Sequence, residues 1–204
     1  MRKRLIIAIL SFLACVSLRA ESPLRFRYGV EWGYSPQIAC SSQYTFISAN
    51  GYRVSEGSSE FELDYFTNAF VSFSAGAEFA NYFSLLLNAG FRGFYKNYRT
   101  IPIEARFSAF FHGYDHSGPF LTLSAGPCLG EKFSWDDRAV TGALGGGFRA
   151  CLMDKVSIDV FARCRVSGLS PLPDDPYEGI IPRDRLVYSR RRAILADFGI
   201  SLQF

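Results

Sequence analysis

Leu24-Arg25-Phe26-Arg27-Tyr28-Gly29-Val30-Glu31-Trp32-Gly33-Tyr34 alternates, residue by residue, between apolar side chains and charged or very small ones. Leu24, Phe26, Tyr28, Val30, Trp32 and Tyr34 share one parity; Arg25, Arg27, Gly29, Glu31 and Gly33 share the other. Successive side chains of a strand point to opposite faces, so this pattern predicts a β-strand with one oily and one charged face.

The same rhythm recurs seven times downstream. The apolar parity carries Ala69, Val71, Phe73, Ala75, Ala77 and Phe79, then Phe83, Leu85, Leu87, Ala89 and Phe91, then Ile103, Ala105, Phe107, Ala109 and Phe111. It continues with Leu121, Leu123, Ala125 and Leu129, then Leu144, Gly146, Phe148, Ala150 and Leu152, and Ile158, Val160, Ala162, Cys164 and Val166. The last segment has Ile194, Ala196, Phe198, Ile200, Leu202 and Phe204. The opposite parity collects the charges: Arg25, Arg27, Glu31, Glu78, Arg92, Glu104, Arg106, Arg149, Asp159, Arg163, Arg165 and Asp197. Eight segments, with no convincing helical period after residue 20, predict an all-β chain.

The connections alternate in length. Ala80-Asn81-Tyr82 and Met153-Asp154-Lys155 are tight, and His112 to Pro119 is compact. Against these stand a long stretch at about 35–68, Tyr95 to Thr100, Glu131 to Val140, and a Pro-rich run from about Ser167 to Arg191. Short turns at one end and longer loops at the other are the asymmetry of outer-membrane barrels, with both termini on the periplasmic side. The expected fold is an eight-stranded antiparallel up-and-down transmembrane β-barrel.

Alternation alone leaves open which face meets lipid. An eight-stranded barrel has room inside only for side chains. The charged parity is also rich in small residues, among them Gly29, Gly33, Ser72, Ser74, Gly76 and Gly90, which suits that space. Phe70, Leu86, Phe110, Phe120, Phe161 and Leu195 fall on this face too, against the pattern. Phe26, Phe79, Phe83, Phe111 and Phe204 gather near one rim and Trp32 and Tyr34 near the other, as aromatic girdles do. An arginine facing lipid costs roughly 2–4 kcal/mol at the midplane. Seven of them would cost on the order of a domain's stability, so the charges belong in the lumen as a salt-bridge network.

The first residues read as an export signal. Arg2, Lys3 and Arg4 precede an apolar run from Leu5 to Leu18, and Ala20 offers a cleavage site within a few positions. Phe12-Leu13-Ala14-Cys15 is a competing lipoprotein reading with a short apolar run. The expected division is a signal peptide at 1–20, for Sec export, and a barrel domain at 21–204. The full chain carries +3, but removing Arg2, Lys3, Arg4 and Arg19 leaves 18 Lys+Arg against 19 Asp+Glu, or −1. The basicity belongs to the leader, and no nucleic-acid partner is implied. Cys40, Cys128, Cys151 and Cys164 have neither disulfide-framework nor zinc-site spacing and read as small buried hydrophobes, with Cys40 the one candidate for pairing. No cofactor or metal site is expected.

The C-terminus Asp197-Phe198-Gly199-Ile200-Ser201-Leu202-Gln203-Phe204 resembles the terminal signal read by the outer-membrane assembly machinery, with Asp197, Gly199, Leu202 and Phe204 as its marks. An amphipathic final strand can template onto an open sheet edge. Over residues 22–204 the chain resembles the outer-membrane protein β-barrel domain family, akin to small OmpA- or OmpX-like barrels. The entry Arg99-Thr100-Ile101-Pro102-Ile103 is like variants of the Bacteroides group. The resemblance implies an integral outer-membrane location and a barrel fold; the chain is expected to depart from OmpA-like proteins in lacking a peptidoglycan-binding domain after the barrel. Fold does not fix function.

The expected function is therefore non-enzymatic: surface interaction or envelope integrity through external loops. An accessory barrel of a secretion complex, similar in kind to that of the type IX system, is the first alternative, and a lipid-modifying barrel enzyme the second. The latter needs a histidine near the outer rim, whereas His112 and His116 fall in a predicted periplasmic turn. Arg183, Arg185, Arg190, Arg191 and Arg192 cluster near the last external loop, where they could meet lipopolysaccharide phosphates or line a solvated rim.

Overall fold

A computed structural model of the chain describes residues 24–61, 68–95, 98–130, 139–153, 155–170, 172–177 and 179–204. The leader read at 1–20, with Cys15, lies outside the described residues, as does most of the 131–140 connection. The strands in chain order are β1 (Arg25–Tyr34), β2 (Gln37–Ile47), β3 (Arg53–Glu60), β4 (Ala69–Phe79), β5 (Phe83–Tyr95) and β6 (Tyr98–Phe110). They continue with β7 (Gly118–Leu129), β8 (Ala139–Met153), β9 (Val156–Leu169), β10 (Asp174–Asp175), β11 (Gly179–Ile180) and β12 (Leu186–Gln203).

The eight alternating segments are β1, β4, β5, β6, β7, β8, β9 and β12, each antiparallel to the next. β12 then returns to β1, from Gly29 opposite Gln203 to Tyr34 opposite Phe198, and closes the barrel. Closure removes the exposed sheet edge that an open β-sheet would present. One row of facing residues shows the outer parity: Trp32, Ile200, Val160 and Phe148 lie side by side on β1, β12, β9 and β8. The adjacent row, Glu31, Ser201, Asp159 and Arg149, points inward and is buried. Phe73, Leu87, Leu123, Leu144 and Val166 all project outward and are more than half exposed. Near the rim that carries the C-terminus, Tyr28 stacks on Phe204 with ring centroids 5.6 Å apart, and Phe83 on Phe107 at 5.5 Å.

Three connections differ from the sequence reading. The stretch at 35–68 holds a hairpin, β2–β3, whose first strand pairs with the upper half of β12, from Phe46 opposite Leu186 to Gln37 opposite Leu195. β1 and β2 thus run one above the other along the same strand, interrupted at Ser35-Pro36. Pro36 has no N–H for the ladder, but its carbonyl still accepts from Ala196 N at 3.0 Å, beside a register shift at Ile194/Leu195. The Pro-rich stretch is correspondingly shorter, because β12 begins at Leu186. Third, β5 and β6 run on to Tyr95 and Tyr98, so this connection is tight although it lies at the long-loop end.

Strands of a small barrel approach closely on the inner, concave side. A Cβ at Gly145 on β8 would overlap the Ala162 carbonyl of β9, whereas one at Gly168, on the outer wall, meets nothing within 4 Å. Gly145→Val is therefore expected to yield a trypsin-sensitive chain with no barrel, while Gly168→Ala folds as the parent does. Limited proteolysis with circular dichroism reads the contrast, and equal resistance of the two variants would contradict the close approach.

Candidate functional site: a filled lumen and the sheet raised above it

Strand parity delivers six arginines and five acids into the barrel, and the ion pairs link them into two groups. Nearer the terminal rim, Arg27 Nε donates to Glu78 at 2.7 Å and Arg149 Nη1 to the other Glu78 oxygen at 2.8 Å. Arg149 also grips Asp159 with two parallel bonds, 2.7 and 2.9 Å, the bidentate geometry that suits a guanidinium. Farther up, Glu31 takes Arg163 at 2.5 Å and also Arg106. Asp197, fully buried, accepts from Arg92 and Arg165 at 2.8 Å each and lies 3.8 Å from Arg163 Nε. Arg165 bonds Glu104 as well, and Ser124 donates to that carboxylate at 2.9 Å.

Arg25 does not join this lumen. As the first residue of β1 it stays at the rim, 44% exposed, and pairs with Asp115 of the 111–117 turn at 2.6 Å. That turn tucks under the barrel: Tyr114 is buried, its N–H donates to Asn81 O at 2.9 Å, and its carbonyl accepts from Arg149 at 3.3 Å.

The apolar residues that broke the parity rule have a role here. Phe70, Leu86, Phe110, Phe120 and Phe161 are buried inside, and three of the rings carry arginines on their faces. Guanidinium carbons sit 4.1 Å over Phe70 (Arg92), 4.2 Å over Phe110 (Arg149) and 3.9 Å over Phe161 (Arg163). A ring face attracts a cation and fills the width between opposite walls, so oil and charge are compatible in one lumen. Voids lined by these side chains are small, two of them about 10 Å³ each, on the scale of one water. At those levels the lumen is a packed core.

Several members of the network were not read from the sequence. Ser35, wholly buried, donates to Asp197 at 2.7 Å and accepts from Arg92. Its parity continues Arg27, Glu31 and Gly33, a signal obscured by the Ser-Pro pair that reads as a turn. Thr141 accepts from Arg165 at 2.7 Å, and Asp115 caps the rim. Cys40 and Cys128 are buried, Cys151 is half-buried, and Cys164 is exposed on the outer wall rather than packed inside.

Above the barrel, the top of β12 with β2 and β3 forms a three-stranded sheet. Phe46 and Ile181 are buried beneath it, Ile181 N–H donating to Pro173 O of the β10–β11 loop at 3.0 Å, while Leu195 at its lower end packs with Cys128, Ala139, Leu169 and Ala193. Tyr44 donates to Glu56 at 2.5 Å, and this bond to an anion raises its phenol to about 12. Of the five clustered arginines, Arg190 and Arg192 point outward and are exposed, Arg191 turns inward to donate to Ser42 at 2.7 Å, and Arg183 and Arg185 lie in the preceding turn. His112 and His116 stay at the opposite end, in the turn, with His112 Nδ1 3.4 Å from Ser117 O. Among the described residues no cluster of His, Cys, Asp or Glu has a metal-binding arrangement.

At the C-terminus, Asp197 belongs to the ion network and Gly199 faces Gly33 and Phe161 on the flanking strands. Leu202 lies on the outer wall, and Phe204 exchanges backbone bonds with Tyr28 at 2.8 and 3.2 Å.

No protein-family model and no curated protein matches the chain. Among solved structures, the crystal structure of Neisserial surface protein A (NspA) aligns with a TM-score of 0.44 at 13% identity, over 90% of this chain and 100% of that one. The outer membrane protein OprG from Pseudomonas aeruginosa aligns with a TM-score of 0.46 at 9% identity, over 87% and 95%.

Breaking a buried ion pair from one side strands the other charge, at a cost of about 3–5 kcal/mol. Asp197→Ala removes the shared partner of Arg92 and Arg165 and is expected to destabilise the barrel by about that much. Urea unfolding in detergent micelles, followed by tryptophan fluorescence, measures it; a loss below about 1 kcal/mol, the scale of an exposed pair, would show that Asp197 is not holding those arginines.

Proposed function

We propose that the chain is an integral, non-enzymatic outer-membrane β-barrel that acts through the sheet raised above one rim, as a surface-interaction or envelope-integrity protein. One observation carries the membrane reading: the outer wall of a closed barrel is apolar from Phe26 to Ile194, while six arginines and five acids of the same strands are buried within and the exposed charges of these strands lie at the rims or above. In water, exposing Phe73, Leu87, Leu123, Leu144, Val166 and their neighbours on one continuous band has no compensating gain. In lipid the same band is the stable exterior, and closed strands satisfy their own backbone groups.

The 80–82 turn, the β8–β9 connection, the start of β1 and the end of β12 then face the periplasm, and the β2–β3–β12 sheet faces outward. Export through the Sec route and recognition of Asp197, Gly199, Leu202 and Phe204 by the assembly machinery complete the reading. A surface role is favoured because the projecting sheet is the most elaborate polar feature, while the lumen between is packed. The histidine positions favour a non-enzymatic protein over a lipid-modifying one.

Two measurements test this. Full-length protein purified from membranes in detergent should migrate differently unheated and boiled, as folded barrels do, and a chain that is folded and monodisperse in detergent-free buffer would refute the membrane reading. Val160→Arg places a cation on the outer wall at a cost of roughly 2–4 kcal/mol and should sharply reduce the membrane-inserted fraction. Arg163→Ala should leave insertion nearly intact, because Glu31 and Asp197 retain other arginines. Equal insertion defects would mean that the two faces have been assigned the wrong way round.

A further inference from the structure

We propose that the outer face of β12 binds the phosphate of an outer-leaflet phosphorylated glycolipid, lipid A in chemical class, with Arg190 and Arg192 as the phosphate ligands and the wall below them as the acyl seat. The proposal rests on the membrane reading above and deepens it.

The first observation is how the arginine cluster divides. Alternation along β12 sends Arg190 and Arg192 to the same side as Ile194, Phe198 and Ile200, which is the apolar wall, while Arg191 is turned to the inner face. Neither outward arginine has an ion pair among the described residues. Their neighbours across the ladder are hydroxyls and an amide: Arg192 lies opposite Ser41 and Arg190 opposite Gln43. Beyond these, Thr45 and Ser55 bond each other at 3.0 Å. The carboxylate of Glu56 is on the other face, engaged by Tyr44. On its remaining side Arg192 is flanked by Gly168 of β9, where an added side chain would meet open space. The result is a pair of accessible guanidiniums beside sugar-compatible hydrogen-bonding groups. Guanidiniums take phosphate oxygens in bidentate fashion, and among the described residues of β2 and β3 no carboxylate shares this face.

The second observation is what lies beneath. A shallow, open depression lies on the outer wall among Trp32, Gly146, Val160, Ala162, Phe198 and Ile200. Gly146 and Ala162 floor it by having almost no side chain. From Arg192 to Phe198 is six residues, roughly 20 Å along a strand. With the usual strand tilt this is about the depth of one leaflet of a hydrocarbon core roughly 30 Å thick. One amphiphile with its phosphate at Arg192 and a chain running down past Ile194 therefore reaches the depression. A phosphorylated glycolipid fits better than a glycerophospholipid, because the polar strand beside the arginines offers hydroxyls and an amide to a saccharide.

The test is retention of lipid by the full-length barrel in detergent, read by native mass spectrometry. The probes are diphosphoryl lipid A, the same lipid with both phosphates removed, and phosphatidylglycerol. The parent should retain diphosphoryl lipid A in preference to both others. Arg190→Gln/Arg192→Gln should lose at least about tenfold in retention, as two charge-assisted contacts warrant. Gly168→Glu, which leaves both arginines in place but sets a carboxylate next to Arg192, should lose comparably. Arg183→Gln/Arg185→Gln should stay within about twofold of the parent. Unchanged retention in the first two variants overturns the site, and equal retention of phosphatidylglycerol or dephosphorylated lipid overturns the choice of ligand. A barrel that folds in detergent yet ignores lipid A removes only this inference; a chain folded without any amphiphile removes the membrane reading with it.

Discussion

Carboxylates held between guanidiniums inside a closed sheet are the constraint from which the rest of this molecule follows. Ions can be buried only where opposite charges and hydrogen bonds surround them. Glu31, Glu78, Glu104, Asp159 and Asp197 meet that condition because strands from all around the barrel bring arginines to them. Once those side chains point inward, pleating sends every intervening residue outward. The oily exterior is the other half of the same alternation, and a one-residue slip of any strand would exchange the two.

The lumen shows how such a network stays dense in a narrow tube. Eight strands enclose a space that side chains can just fill. Pure salt bridges would leave gaps between rigid forks; phenyl rings close them while presenting faces to the cations, as Arg163 over Phe161 and Arg92 over Phe70 demonstrate. Small hydroxyls add further bonds, Ser124 to Glu104 and Thr141 to Arg165, and Ser35 serves two ions at once from the point where β1 gives way to β2.

Period-two alternation made the eight barrel strands legible from residues alone, down to which parity turns inward. It worked because each wall residue answers to one of two very different environments. The β2–β3 hairpin escaped for the complementary reason. Ser41, Ser42, Gln43 and Ser55 to Ser59 sit on a sheet with polar surroundings, so neither face is forced to be apolar, and Ser35-Pro36 imitates the end of a strand. Arg25 was misplaced by one level, since parity specifies a side but not a depth, and only the folded 111–117 turn shows where the interior stops. The inward phenylalanines were visible as exceptions, but their purpose depends on cross-barrel distances that no local pattern contains.

β12 is eighteen residues long, and its two halves do unlike jobs: Phe198 to Gln203 close the barrel on β1, and Leu186 to Leu195 carry β2. In chain order this strand follows the hairpin that leans on it by some 140 residues, so the hairpin has no scaffold until β12 is in place and the ring is closing. Formation of the polar sheet is thereby coupled to a finished barrel: a chain cut within β12 would lose the seam and the platform together, and an incompletely assembled copy could not hold the sheet of a mature one.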